Sequence, residues 1–161
     1  MIVSRGGDHT LVEWHGNLVG VWDGAVSLAS VNIWRQKVSA LVAARPGETV
    51  YLSYERSGFQ MPSDGVRKVI TDTLRAIDGN LAACAVVLPG SGFASAAVRA
   101  LVGGLVMVAR PKTPLRCLPT IDAAHSWVVQ VAPRATWASA SELRAVIAAV
   151  EAGVPAAQGS T

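Results

Sequence analysis

The sequence predicts an α/β domain on a mixed β-sheet: an N-terminal β-hairpin, then alternating helix–strand units, then an appended C-terminal amphipathic helix. Three observations predict it. Two short apolar stretches, Leu11 to Trp14 and Leu18 to Trp22, flank a turn at His15-Gly16-Asn17. Stretches of helical spacing then alternate with short apolar or β-branched runs, the pattern of parallel strands joined by right-handed crossovers. Hydrophobic residues make up 51% of the 161 residues and charged residues 16%. That is enough to bury one core without disulfide or metal staples.

Residues 1 to 8, with Gly6, Gly7 and Asp8, read as a flexible lead-in. His9 to Trp14 and Leu18 to Trp22 read as the hairpin, its Gly-Asn turn suited to positive φ. Ser27 is an N-cap for a helix over residues 28 to 43, where Val31, Trp34, Val38, Leu41 and Val42 share a face. Thr49 to Tyr54 is β-branched and aromatic and reads as the third strand. Ser63 caps the next helix and Asp64 lies in its first turn, where negative charge suits the helix dipole. Val66, Val69, Ile70, Leu74 and Ile77 make its apolar stripe.

Ala82 to Leu88 is continuously apolar between Gly79-Asn80 and Pro89-Gly90, as in a strand covered on both faces. Phe93 to Ala109 reads as a helix with almost no polar face. Its Gly103-Gly104 pair costs about 2 kcal/mol relative to two alanines. Close approach of a neighbouring helix, another subunit or an apolar ligand would offset that cost, and the C-terminal helix is the first candidate for the cover. Leu115 to Leu118 is a fifth strand, and Thr120 caps a helix carrying Ile121, Ala124, Trp127 and Val128. The main domain thus spans 9 to 130, a linker and helix 131 to 153, and a disordered tail 154 to 161. The last helix opens with a capping-box pattern, Ser139 with Glu142, carries the stripe Leu143, Val146, Ile147 and Val150, and ends at Gly153.

Composition narrows the function classes. A net charge of +3, spread along the chain, lacks the basic stripe with aromatic partners of a nucleic-acid binder. The longest apolar run, Ala100 to Ala109, is half of the roughly 20 residues a membrane span needs. Cys84 and Cys117 read as free thiols in a reducing cytoplasm, a disulfide between them being the minor alternative. His9, His15 and His125 sit in no metal-ligand pattern. Glu13, Asp23, Glu48, Glu55, Asp64 and Asp72 form no recognisable catalytic pair, and there is no Gly-x-Ser-x-Gly elbow. No catalytic residue, metal or cofactor is expected, and an enzyme ranks behind a binding protein. The Gly90-Ser91-Gly92 turn lacks the lysine and third glycine of a phosphate loop.

The order β-β-α-β-α-β-α-β-α resembles the STAS domain, the fold of bacterial anti-sigma-factor antagonists and of sulfate-transporter tails. Two passages carry the resemblance. One is strand-Asp23-Gly24-x2-Ser27-helix. The other is Met61-Pro62-Ser63-Asp64-Gly65-Val66, similar to the family's Met-Asp-Ser-Ser-Gly-Leu. The resemblance implies a regulatory, non-enzymatic domain that binds protein partners. The family's phosphorylated second serine corresponds to Asp64 here, a permanent charge in place of a switch, and Ser63 matches the first serine. A second resemblance runs through Gly90-Ser91-Gly92-Phe93, Arg99, Gly104-Leu105, Arg110 and Pro114 to Ala124-x2-Trp127. It is to small bacterial proteins of STAS-like or CRAL-TRIO-like fold, whose lipid-carrier relatives bind apolar ligands.

These readings lead to two expectations. The first is a cytoplasmic bacterial STAS-like domain that self-associates as a dimer. It would bind its protein partner through Phe59, Gln60, Met61, Ser63, Asp64 and Val66, with Asp64 as fixed charge and Phe59 and Met61 as apolar anchors. The alternative is a carrier or sensor of an apolar small molecule or lipid. In it Phe93, Leu101, Gly103, Gly104 and Leu105 form a ligand or self-association surface beside a cavity.

Overall fold

Six strands form one sheet in sequential order: β1 (Ile2–Arg5), β2 (His9–Trp14), β3 (Asn17–Trp22), β4 (Val50–Glu55), β5 (Ala83–Val87) and β6 (Leu115–Leu118). This computed structural model describes residues 1–56, 60–90, 95–100, 111–137 and 139–153. The pairs β1–β2 and β2–β3 are antiparallel, and β3–β4, β4–β5 and β5–β6 are parallel. The mixed sheet expected from the hairpin and the alternating units is present.

Sequential strand order decides where the helices go. Each parallel strand adds to the same growing edge, so right-handed crossovers place the connecting helices on one face. Helices α1 (Leu28–Ala44) and α2 (Asp64–Ala76) lie there. They pack on Leu11, Leu18, Trp22, Tyr51 and Cys84 through Val31, Trp34, Val38, Val42 and Val66. The opposite face, carrying Val12, Val19, Val21, Val50, Leu52, Ala83, Ala85 and Val87, needs a cover of its own. Helices α3 (Ile121–Val131) and α4 (Ala140–Glu151) supply it through Ala124, Val128, Leu143, Val146, Ile147 and Val150. The two sets alternate along each strand, as the pleat requires.

Local chemistry sets the element ends as anticipated at four caps. Ser27, Ser63, Thr120 and Ser139 each accept a backbone N–H in the first turn of α1, α2, α3 and α4. The capping box of Ser139 and Glu142 is complete, and Gly153 comes after α4 with φ 71°.

Three expectations are corrected. The lead-in over residues 1–8 is a strand from Ile2 to Arg5, with a bulge between Ile2 and Ser4. Asp8 anchors the turn into β2 to the start of α1. Its carboxylate accepts from Ser27 N at 2.7 Å and Ser30 Oγ at 2.5 Å, and lies 3.0 Å from His9 Nδ1. Burial works against the charged form, but these hydrogen bonds outweigh it and hold the carboxyl well below its ordinary range. The two glycines made this segment read as loose, and the contacts that order it are with residues remote in sequence.

Asn17 is not a turn residue. The two-residue turn is His15-Gly16, with φ of 49° and 75°, and Trp14 pairs with Asn17. Asn17 is buried, its Oδ1 accepting from Val50 N at 2.8 Å and its Nδ2 donating to Thr136 O at 2.5 Å. It ties the hairpin to β4 and to the segment before α4.

The C-terminal helix is not an appendage. It is half of the layer on the second face, and Trp137 packs into the same cluster. Most of the apolar helix read over Phe93 to Ala109, which this helix was expected to cover, lies outside the described residues. Of that stretch residues 95–100 are helical, and Val98 borders Trp22, Val31 and Trp34 on the α1–α2 face. Cys84 and Cys117 are free, and burial pushes the Cys84 thiol up to about 12.

Candidate functional site

The C-terminal ends of β3, β4 and β5 meet the starts of α1 and α2, the location where open parallel sheets gather ligands and partners. The outer layer is the start of α2. Ser63 Oγ accepts from Val66 N at 3.4 Å, and Val66 is buried against the core. Burial of Val66 fixes the first turn and turns its neighbours outward. Gln60, Met61, Ser63, Asp64 and Gly65 are exposed, the Asp64 side chain by 92%. Arg67 donates to Asp64 within the same turn, with both side chains exposed. Met61 is 50% exposed and Leu28, at the start of α1, 52%. Leu28 lies 3.9 Å from the point where a Gly65 side chain would begin. Phe59 lies outside the described residues.

The inner layer is a cavity of about 230 Å³ on the α1–α2 face. Trp22, Val31, Trp34, Ile70, Val86 and Leu88 form much of its apolar wall, and Met61 and Val98 border it. Strand β4 supplies the polar part. Tyr51, Ser53 and Glu55 sit two residues apart and so point to one side. Ser53 Oγ donates to Glu55 Oε1 at 2.7 Å. Trp22 Nε1 donates to Tyr51 Oη at 3.1 Å. Gly20 makes room for that bond, since a Cβ there would stand 2.7 Å from Trp22 Nε1.

Glu55 is 8% exposed, and burial pushes its carboxyl up to about 7 against the hydrogen bond from Ser53. Burial likewise pushes the Tyr51 hydroxyl well above its ordinary value, so it stays neutral. Among the described residues no cation is in salt-bridge contact with Glu55. The indole N–H of Trp34, a residue 2% exposed, has no hydrogen-bond partner among them either.

Phe59, Gln60, Met61, Ser63, Asp64 and Val66 were grouped by sequence as one surface. The structure brings Gln60, Met61, Ser63 and Asp64 together as an exposed patch and places Val66 beneath it. Phe93, Leu101, Gly103, Gly104 and Leu105 lie outside the described residues. Tyr51, Ser53 and Glu55 were missed as a group. The signal was a polar alternation, Tyr-x-Ser-x-Glu, in a strand whose other residues are apolar, with a carboxylate at its buried end.

No family model and no curated protein matches this chain. Among solved structures it is similar to one described as the crystal structure of an anti-sigma factor antagonist from Mycobacterium paratuberculosis. The identity is 20%, over 74% of this chain and 92% of that chain, with a TM-score of 0.47.

Proposed function

We propose that this chain is a non-enzymatic regulatory domain of STAS type that works by binding a protein partner at the start of α2. The observation that carries the reading is the patch itself. Two half-exposed apolar side chains, Met61 and Leu28, stand beside the exposed carboxylate of Asp64, at the ends of the parallel strands. Val66 is buried beneath them and Ser63 caps the turn, which ties this end of the patch to the core and lowers the entropy cost of docking. A partner would present an apolar pocket for Met61 and a Lys or Arg that competes with Arg67 for Asp64. Aspartate makes the charge permanent, so binding would not wait on phosphorylation at that position.

The test is capture of partners from an extract of the source cells by wild-type protein and by Asp64→Lys and Met61→Glu. A protein retained by the wild type and lost from both variants, with circular dichroism spectra unchanged, supports the surface. Equal retention by all three removes it.

Self-association belongs to the same reading. Sedimentation that shows one monomeric species at every concentration removes it. A bacterial cytoplasmic setting fits the two free thiols. Among the described residues no helix is long and apolar enough to cross a membrane. The alternative reading, a small-molecule carrier or sensor, has its own observation in the cavity.

A further inference from the structure

We propose that Ser4 is a nucleophilic serine, with His9 as its general base and Asp8 as the positioning residue, and that it takes up an acyl group from an activated ester. The site shares no residue with the patch at the start of α2. It is independent of the partner reading, since a domain that carries one acyl group remains a binding domain.

The three side chains form one relay. Asp8 Oδ1 lies 3.0 Å from His9 Nδ1, and Ser4 Oγ lies 2.8 Å from His9 Nε2. Nucleophile and base are within hydrogen-bond reach, and a third group orients the base. The direction of each bond follows from the groups involved. The Asp8 carboxylate is held ionised by Ser27 N and Ser30 Oγ, so it can only accept. The ring proton of neutral His9 is therefore on Nδ1. Its lone pair is on Nε2, where it accepts from the Ser4 hydroxyl.

The backbone builds this geometry at an accessible place. The bulge in β1 between Ile2 and Ser4 comes directly before the serine, and bulges re-aim the side chains beside them. Gly6 leaves room for the base: a Cβ there would stand 2.7 Å from His9 Cε1 and 2.8 Å from Nδ1. The ring itself is 4% exposed and packs 5.7 Å from the Trp22 ring, centroid to centroid. A histidine that is merely satisfied in a core needs buried partners. Here the far end of the relay is a partly exposed hydroxyl on an edge strand, within reach of a reagent.

The step is an acyl transfer. Ser4 Oγ attacks the carbonyl carbon of the ester while its proton passes to His9 Nε2. The Oγ–C bond forms, the C–O bond of the ester breaks, and the leaving oxygen departs with the bonding pair. The proton on Nε2 is then released to water. Burial of the ring limits the approach of water to Nε2, so the acyl serine persists.

The probe is p-nitrophenyl acetate. Labelling is read after an acid quench by tandem mass spectrometry, which separates Ser4 from the Met1 amine. The exposed Ser63 and Ser141 of the same chain are internal standards. Ser4 is expected to gain an acetyl group about a hundredfold faster than either. His9→Gln is expected to slow that labelling about a hundredfold with an unchanged circular dichroism spectrum. The ring ¹⁵N resonances of His9 read the tautomer separately. At mildly alkaline pH the proton is expected on Nδ1. In Asp8→Asn, whose amide can donate to Nδ1, it is expected on Nε2, with slower labelling of Ser4. A Ser4 that labels no faster than Ser63 and Ser141 overturns the proposal. So does a wild-type ring protonated on Nε2, or undiminished labelling in a folded His9→Gln. The two wild-type measurements decide the matter even where no variant folds.

Discussion

The two faces of the sheet are built from alternate residues of the same strands, yet they differ in kind. One face, under α3 and α4, is a set of Val, Ala and Leu side chains that interlock with Leu143, Val146, Ile147 and Val150. The other, under α1 and α2, holds Trp22, Trp34, Tyr51, Ser53 and Glu55 around a cavity. In β4 the division is visible residue by residue: Val50 and Leu52 face one way, Tyr51, Ser53 and Glu55 the other. Close packing of small aliphatic residues gives stability and a unique arrangement. A face with large aromatic rings and buried polar groups packs less evenly and leaves the cavity, and that is where a site can form.

The largest expected contrast is in truncations. Leu143→Ala leaves a cavity in the aliphatic face and should cost about 2–5 kcal/mol by urea unfolding. Met61→Ala, on the rim of the other face, should change stability by less than about 1 kcal/mol. Similar losses from both substitutions would break the division into a stability face and a site face.

Glu55 sharpens the comparison through pH. Its carboxyl is raised from an unfolded value of 4.5 to about 7, so the folded chain holds the proton more tightly than the unfolded chain. The stability this contributes is fully present below about pH 4.5 and is lost as pH rises through about 7. The loss is on the order of a few kcal/mol. The charged or titratable neighbours are Tyr51 and Arg67 on the cavity wall, with Cys117 sensing the Glu55 charge through space. Tyr51 stays neutral across this window and adds nothing to the slope. Glu55→Gln should flatten the profile between about pH 5 and 7, which chemical denaturation at a series of pH values reads directly. Asp8 acts in the opposite sense and lower down. Its hydrogen-bonded carboxylate contributes above the ordinary value of 3.8 and loses that contribution as pH falls below it.

A smaller effect is expected at Gly20. A methyl group there meets Trp22 Nε1 and Tyr51 Oη. Gly20→Ala should therefore cost about 1–3 kcal/mol by overpacking, and the near-ultraviolet circular dichroism of the tryptophans should change with it. The smallest effects belong to the outer layer. Ser63→Ala loses one N-cap bond, about 1 kcal/mol. Asp64→Lys reverses a favourable first-turn charge, a loss of about 0.3–1 kcal/mol. Thermal unfolding that shows a much larger loss for Asp64→Lys would mean that the patch is structural.

Much of this architecture was legible because its signals are local. Periodicity placed α1 and α2, and Ser27, Ser63, Thr120 and Ser139 marked four helix starts by short-range hydrogen bonding. The illegible parts depended on distant partners. The strand at Ile2–Arg5 exists through pairing with β2, and Asp8 is ordered by Ser27 and Ser30. The role of α4 comes from which face the crossovers leave bare, a property of the assembled sheet and not of the helix. The exposed start of α2 could be read from a cap and a stripe. The cavity below it could not, because its polar members come from β4 and α1 and meet only across the sheet surface.

Sequential strand order also sets a timetable for a chain emerging from the ribosome. Cover for the α1–α2 face arrives early, since α1 comes directly after β3 and α2 after β4. Val12, Val19 and Val21 form in the first hairpin, but their partners on α3 and α4 are among the last parts of the described chain to be made. Until then one side of every finished strand is bare, and closing it requires contacts across most of the sequence, the slow kind. The nascent protein therefore spends most of its synthesis with an aliphatic sheet surface open to water. Truncated or stalled chains would keep that surface open, and their aggregation is expected to start there.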